Sequence, residues 1–176
     1  MDGGDFVIRI PLTRGKHADQ GLFAVVDDED AHLAEHEWYA VARPSKATGE
    51  ILGWYALKSS HQVISMHRML LNAPANAVVD HVDGDGLNNR RSNLRIATYA
   101  QNSANTNRPK PRSGYWGVVQ RHNRFRAIIN DPARHGNIYL GMFATAEEAA
   151  LAYDKAALER WGDFARLNFQ HEEIAA

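Results

Sequence analysis

Short runs of alternating apolar and polar residues punctuate the first third of the chain. Phe6-Val7-Ile8-Arg9-Ile10-Pro11-Leu12 and Leu22-Phe23-Ala24-Val25-Val26 read as strands. So do Trp54-Tyr55-Ala56-Leu57 and Val63-Ile64-Ser65-Met66, beyond a turn near Thr48-Gly49. Between them, Asp28 to His36 has the polarity and spacing of a short helix. Farther on, Ala77 to Val82 predicts a strand, Asp83-Gly84-Asp85-Gly86 a tight turn, and Leu94-Arg95-Ile96-Ala97 a second strand. Thr98 is placed to cap a helix from Tyr99 to about Asn107. The order there is strand, loop, strand, helix. His67-Arg68 falls on a predicted strand just ahead of it, suited equally to phosphate contact and to structural hydrogen bonding.

The last third alternates again. Tyr115 to Gln120, Phe125 to Asn130 and Ile138 to Phe143 predict three strands, with turns marked by Asn123 and His135-Gly136. Thr145-Ala146-Glu147-Glu148 is a capping box, opening a helix that runs to Trp161 and stops at Gly162. Ala149, Tyr153, Ala156 and Ala157 share one face, so small residues let the helix lie close on the sheet. Tyr153, Trp161 and Phe164 read as core. The fold class expected is α+β: residues 1–66 a small β-rich region buttressing the segment after it, 67–107 a compact core, 108–113 a linker, 114–169 a three-stranded antiparallel sheet on one helix, and 170–176 a tail.

Composition narrows the chemistry. At 176 residues and 44% hydrophobic, the chain has the makeup of a globular protein, and no run approaches the ~18 apolar residues of a membrane span. The N-terminus, Met1-Asp2-Gly3-Gly4-Asp5, lacks the basic and apolar regions of a signal peptide, so a cytoplasmic protein is expected. There is no cysteine, which removes disulfides, thiol catalysis and cysteine-ligated zinc. Inside 28–36 lies His32-Leu33-Ala34-Glu35-His36, the pattern of a zinc peptidase. The segment is short and acidic and has no later carboxylate ligand, so it reads as a solvated helix face.

The net charge of -1 conceals segregation. Residues 1–66 carry 6 Lys/Arg against 10 Asp/Glu, residues 67–142 carry 11 against 4, and residues 143–176 carry 3 against 7. Arg108 to Arg126 holds six basic residues and no acidic one. A basic middle points to nucleic acid, because binding follows the local patch rather than the overall balance. Arg108-Pro109-Lys110-Pro111-Arg112-Ser113 reads as a stiff basic linker that tracks phosphates.

The chemistry concentrates in Asp80-His81-Val82-Asp83-Gly84 and the asparagines after it. An imidazole near its ordinary pKa is a general base at neutral pH, and a carboxylate is a hard oxygen ligand for Mg²⁺. On an extended strand Asp80 and His81 point to opposite faces, so serving one site requires the strand to be distorted or to end there, as the turn from Asp83 allows. Asp83, Asp85, Asn88 and Asn89 read as turn formers. A calcium loop does not fit, since Leu87 and Asn88 fall where a ligand and a glycine belong.

The spacing Asp80-His81-x-Asp83-Gly84-x-x-x-Asn88-Asn89-x-x-x-Asn93-Leu94-Arg95, followed by Asn102, resembles the HNH endonucleases, especially their asparagine-rich homing branch in phages. The resemblance covers about Met66 to Asn107 and implies a ββα-metal core. It makes His81 the general base, Asn93 the brace of the loop, and Asp80 and Asn102 the ligands of one Mg²⁺ or Mn²⁺ ion, with no zinc expected. Ends with 5′-phosphate and 3′-hydroxyl are implied.

Residues 114–169 resemble the APETALA-two/ethylene-response-factor type of DNA-binding domain. The matching residues are Tyr115-x-Gly117-Val118, Arg121, Phe125-x-Ala127-x-Ile129, Asp131-Pro132, Leu140-Gly141-x-Phe143, Thr145-x-Glu147-Glu148-Ala149-Ala150, Ala152-Tyr153-Asp154, Ala156-Ala157, Gly162 and Leu167-Asn168-Phe169. That family inserts a sheet into the major groove. Alternation sets Phe125, Ala127 and Ile129 against the helix and leaves Arg126, Ile128 and Asn130 outward, with Val119, Arg121, Asn137 and Tyr139 beside them. The expected DNA contacts are Arg108, Lys110, Arg112, Trp116, Arg121, Arg124, Arg126, Asn130 and Tyr139. Trp116 serves either to stack on DNA or to pack on a neighbouring strand. Trp116, Val119, Ile128 and Asn137 stand where plant members place arginine or glutamate, so their specificity does not transfer.

Together these readings predict a site-specific DNA endonuclease of homing type that nicks double-stranded DNA as a monomer, with dimerisation on DNA as the route to a double break. In a phage it would work in the bacterial host cell. The rival is a non-catalytic DNA-binding regulator that uses only the sheet module.

Overall fold

The computed structural model describes residues 6–45, 48–59, 62–105, 111–131 and 136–170. The chain is α+β, with four small antiparallel sheets and few helices among the described residues. It divides into two compact units, residues 1–99 and 100–176.

In the first unit, β1 (Val7–Pro11) pairs with β2 (Phe23–Asp27). A second sheet places β4 (Ile51–Ser59) between β3 (Tyr39–Pro44) and β5 (Val63–Ser65). The third pairs β6 (Val78–His81) with β7 (Leu94–Ala97). One core unites them: Ile10, Leu12, Ala24, Val26, Leu33, Trp38, Ala56, Met66, Val79 and Leu94 all pack into it. Residues before and after position 66 therefore share a single interior.

Two predicted elements differ from the structure, and one strand was not predicted. Tyr39–Pro44 forms a strand that the sequence pattern did not reveal. His67-Arg68 lies on a short helix, α1 (Met66–Leu70), rather than on a strand. Its Met66 and Leu70, four apart, are the buried pair, which is helical spacing. Arg68 donates to the carbonyls of Ala77 at 2.7 Å, Pro74 at 2.6 Å and Ala73 at 3.2 Å, closing the loop into β6.

The segment Asp28–Glu35 is a 3-10 helix rather than an α-helix. His36 lies beyond its end in extended backbone, so His32 and His36 do not share a helix face. Nor is it simply solvated: Leu33 and Asp30 are buried. The Leu33 carbonyl accepts from Trp38 Nε1 at 2.8 Å.

In the second unit, β9 (Arg124–Asp131) lies between β8 (Val118–Arg121) and β10 (Gly136–Phe143). An α-helix, Ala146–Trp161, covers one face. Its Thr145 cap accepts from Glu148 N–H while Glu148 returns a bond to the Thr145 backbone, the predicted capping box. Val118, Ala127, Ala149 and Ala150 form the core with Phe125, Leu140, Phe143 and Phe169 around them. Gly117 sits at φ +74 where an added Cβ would fall 1.9 Å from Tyr153 Cδ2. The backbone there needs glycine both for conformation and for space.

Asp154, buried within that helix, gathers the C-terminal strap. It accepts from Asn168 N–H at 2.9 Å, from Asn168 Nδ2 at 2.9 Å and from Phe169 N–H at 2.9 Å. Asn168 in turn accepts from Trp116 N–H at 2.7 Å and donates to the Trp116 carbonyl at 3.1 Å. The expected buried face held Ala149 and Ala157 correctly, but Asp154 takes a place in it and Ala156 is only half-buried.

Candidate active site and nucleic-acid interface

β6 ends at His81, and the loop beyond it is tied back on itself. Val82 N–H donates to the Asn93 carbonyl at 2.9 Å, and Gly84 N–H to the His81 carbonyl at 2.9 Å. Asp83 Oδ1 accepts from Asp85 N–H and its Oδ2 from Asn88 Nδ2, while Asp85 Oδ1 accepts from Leu87 N–H. These are side-chain turns of the kind aspartate and asparagine form.

Asn93 braces the loop from below. Its Oδ1 accepts from Asp83 N–H at 3.0 Å, and its Nδ2 donates to the Asn88 carbonyl at 2.8 Å. Asn89 is fully buried and donates to the Leu87 carbonyl at 3.1 Å. The loop is also stitched to β2: Val25 N–H donates to the Leu87 carbonyl, and Asn89 N–H to the Val25 carbonyl.

Asp80 and His81 are both buried, at 4% and 5% exposure. Asp80 pairs in register with Arg95 on β7, whose Nε and Nη2 donate to its Oδ2 at 2.9 and 2.8 Å. His81 packs among rings, 5.1 Å from His67 and 5.9 Å from Tyr55 between centroids. Burial pushes its pKa down; the Asn89 amide and the Asp83, Asp80 and Asp85 carboxylates oppose that. Desolvation thus favours the neutral form of the His81 imidazole. His67, also desolvated and beside His81 and Arg68, is lowered to about 3. Neither ring contact was legible in the sequence, because Tyr55 and His67 come from separate elements.

Asn102 lies half-buried in the second unit, on α2 (Tyr99–Ala104), which ends three residues before the predicted Asn107. Thr106 and Asn107 fall outside the described residues. Among the described residues, no three His, Cys, Asp or Glu side chains converge as a metal cage.

The HNH endonuclease family model matches residues 72–104, which contain this loop and both strands that carry it. An uncharacterized HNH endonuclease of Acanthamoeba polyphaga mimivirus is 31% identical over 128 residues, 65% of this chain and 66% of that protein. Ethylene-responsive transcription factor 1 of Solanum lycopersicum is 52% identical over 65 residues, 36% of this chain and 26% of the factor. Dehydration-responsive element-binding protein 2E of Oryza sativa subsp. japonica is 48% identical over 63 residues, 35% of this chain and 20% of that protein.

The chain joins an HNH segment to an ERF-type domain. It spans just under two thirds of the viral relative and about a quarter or less of the two plant ones.

The ERF-type unit presents the face that alternation predicted. Val119 faces Arg126, Arg121 faces Arg124, Ile128 faces Tyr139 and Asn130 faces Asn137 across the ladders. Arg121, Arg124, Asn130 and Tyr139 are exposed, Arg126 is half-buried, and Arg124 also donates to the Met142 carbonyl at 3.0 Å. Arg112 is exposed ahead of the sheet, while Arg108 and Lys110 lie outside the described residues, as does His135. Trp116 is half-buried, with the Arg166 guanidinium 4.4 Å above its ring.

Part of the basic middle is already neutralised within the protein. In the HNH segment Arg90 pairs with Asp27 at 2.8 Å, and Arg91 with Asp30 and Glu29, each at 2.7 Å. Arg95 is held by Asp80. Counting charges along the chain overstates the positive surface left for phosphate. No helix among the described residues is long and apolar enough to cross a membrane.

Proposed function

We propose that the chain is a site-specific DNA endonuclease of homing type, with the HNH segment hydrolysing a phosphodiester and the ERF-type sheet holding double-stranded DNA. The observation that carries this reading is the buried His81 at the end of β6, beside Asp80 and next to a loop closed by Asn93. His81 takes the proton from a water that attacks phosphorus; the P–O3′ bond breaks as the new P–O bond forms, and the departing 3′-oxygen takes a proton from solvent, leaving 5′-phosphate and 3′-hydroxyl ends. Asn93 keeps the loop backbone in place while it does so. A divalent ion, Mg²⁺ or Mn²⁺, with Asp80 among its ligands would neutralise charge on the reacting phosphate. One His81 per chain supports nicking by a monomer. DNA as the partner is supported by the exposed Arg121, Arg124 and Tyr139 on the sheet.

The test is supercoiled plasmid or phage DNA incubated with the full chain and Mg²⁺, alongside His81→Ala. Nicked circles from wild type alone are expected. Cleavage that persists in His81→Ala removes the base assignment. Tight DNA binding with no cleavage on any substrate favours the regulator reading.

A further inference from the structure

Tyr55, His67 and His81 form a closed triangle of rings. The centroids of His67 and His81 are 5.1 Å apart with planes at 80°, an edge-to-face contact. Tyr55 stands 5.5 Å from His67 and 5.9 Å from His81, tilted to both. The three rings come from three places: Tyr55 from the middle strand of its sheet, His67 from α1 and His81 from the end of β6.

Tyr55 is itself fixed. An added Cβ on Gly86 would lie 2.5 Å from Tyr55 Cδ1 and 2.3 Å from the Trp54 carbonyl oxygen, so the HNH loop backbone presses directly on this strand. The Arg43 guanidinium sits 5.8 Å from the Tyr55 ring centroid. His67 Nδ1 is buried and has no hydrogen-bond partner among the described residues. What this part of His67 offers its neighbours is ring surface, with edge-to-face geometry favoured between aromatic rings. Burial also keeps it uncharged at neutral pH, so it presents no repulsion to His81.

We propose that His67 and Tyr55 are positioning residues for His81, their rings holding its imidazole in a single rotamer against the Asp83–Asn93 loop. A reacting group must be held by side chains whose own rotamers are locked, and misplacement by about 1 Å can cost 10²-fold in rate. The link to turnover rests on His81 being the base; the link to ring geometry does not.

The experiment compares full-length wild type, His67→Ala, His67→Leu and His67→Phe, with His81→Gln to assign the resonance. Histidine-ring NMR of the free protein reads the geometry, and single-turnover cleavage with DNA titration reads its consequence. Wild type should give one His81 ring signal, displaced by its aromatic neighbours. In His67→Ala that displacement should shrink and the signal broaden or split, while His67→Phe keeps it sharp. His67→Leu provides the same ring-free comparison where the alanine variant does not fold. The cleavage rate should fall about 10- to 100-fold in the ring-free variants with DNA affinity unchanged, and recover to within a few fold in His67→Phe. An unchanged His81 signal without the ring overturns the proposal. So does a phenylalanine variant as impaired as the ring-free ones, since a nitrogen would then carry the role. If wild type cuts nothing, the nuclease reading fails while the NMR comparison still decides whether these rings position His81.

Discussion

Asn93 and Asp83 hold each other reciprocally: Asn93 Oδ1 accepts from Asp83 N–H at 3.0 Å while Asn93 Nδ2 donates to Asp83 Oδ1 at 2.9 Å. A third bond from the same amide reaches the Asn88 carbonyl. One side chain therefore closes both ends of the loop that begins beside His81. Removing it in Asn93→Ala deletes three bonds of about 1 kcal/mol each, so a loss of about 2–3 kcal/mol is expected in urea unfolding. A change under about 0.5 kcal/mol would mean the loop closes without it.

Gly86 has no room for a methyl group. With the Trp54 carbonyl 2.3 Å and the Tyr55 ring 2.5 Å from an added Cβ, Gly86→Ala forces the loop off its strand. Overpacking of this kind costs about 1–3 kcal/mol. Differential scanning calorimetry should show a lowered Tm, and DNA cleavage should fall with it. A fully stable, fully active alanine variant would contradict the packing described.

Acid should destabilise the first unit before it reaches carboxylate pH. His67 titrates near 3 in the folded chain and near 6.5 when unfolded, and His81 is shifted the same way. Below pH 6.5 the unfolded chain takes up protons that the folded one refuses, so stability is full above 6.5 and declines towards 3. Urea midpoints measured from about pH 7.5 to about 4.5 should fall, and His67→Phe should flatten the slope. An equal slope in both proteins would place the sensitivity elsewhere.

The arginines should separate into two kinds. Arg121 is exposed on the sheet face, whereas Arg91 is engaged by Asp30 and Glu29. If the sheet holds phosphate, Arg121→Ala lowers the slope of log K against log salt by about 1. Arg91→Ala should leave that slope alone and reduce thermal stability instead. DNA-binding titrations over a series of salt concentrations distinguish them.

The ERF-type unit depends on one buried carboxylate. Asp154→Ala leaves the amides of Asn168 and Phe169 without their acceptor, at about 1–3 kcal/mol for each unsatisfied group. Hydrogen exchange should show residues 166–170 losing protection. Retained protection would mean another group takes over the strap.

What was legible in the chain had a period. The three strands around β9, the order strand-loop-strand-helix and the Thr145–Glu148 cap all repeat over two to four residues, and the structure contains each. What was hidden depends on partners far away in sequence. Asp30 looked like one more solvated acid because Arg91, its partner, comes 61 residues later. His67 looked like a strand residue because five helical residues carry too little pattern to tell the two apart. Asp154 sat in a run of alanines whose polar exception had no visible acceptor role until Asn168 folded back on it.

The pairing of Asp27, Glu29 and Asp30 with Arg90 and Arg91 has a consequence for how such a protein would search DNA. An acidic turn occupying those guanidiniums imitates the polyanion they would otherwise grip. The same short acidic segment that supports the loop thereby withdraws two of its arginines from any passing phosphate.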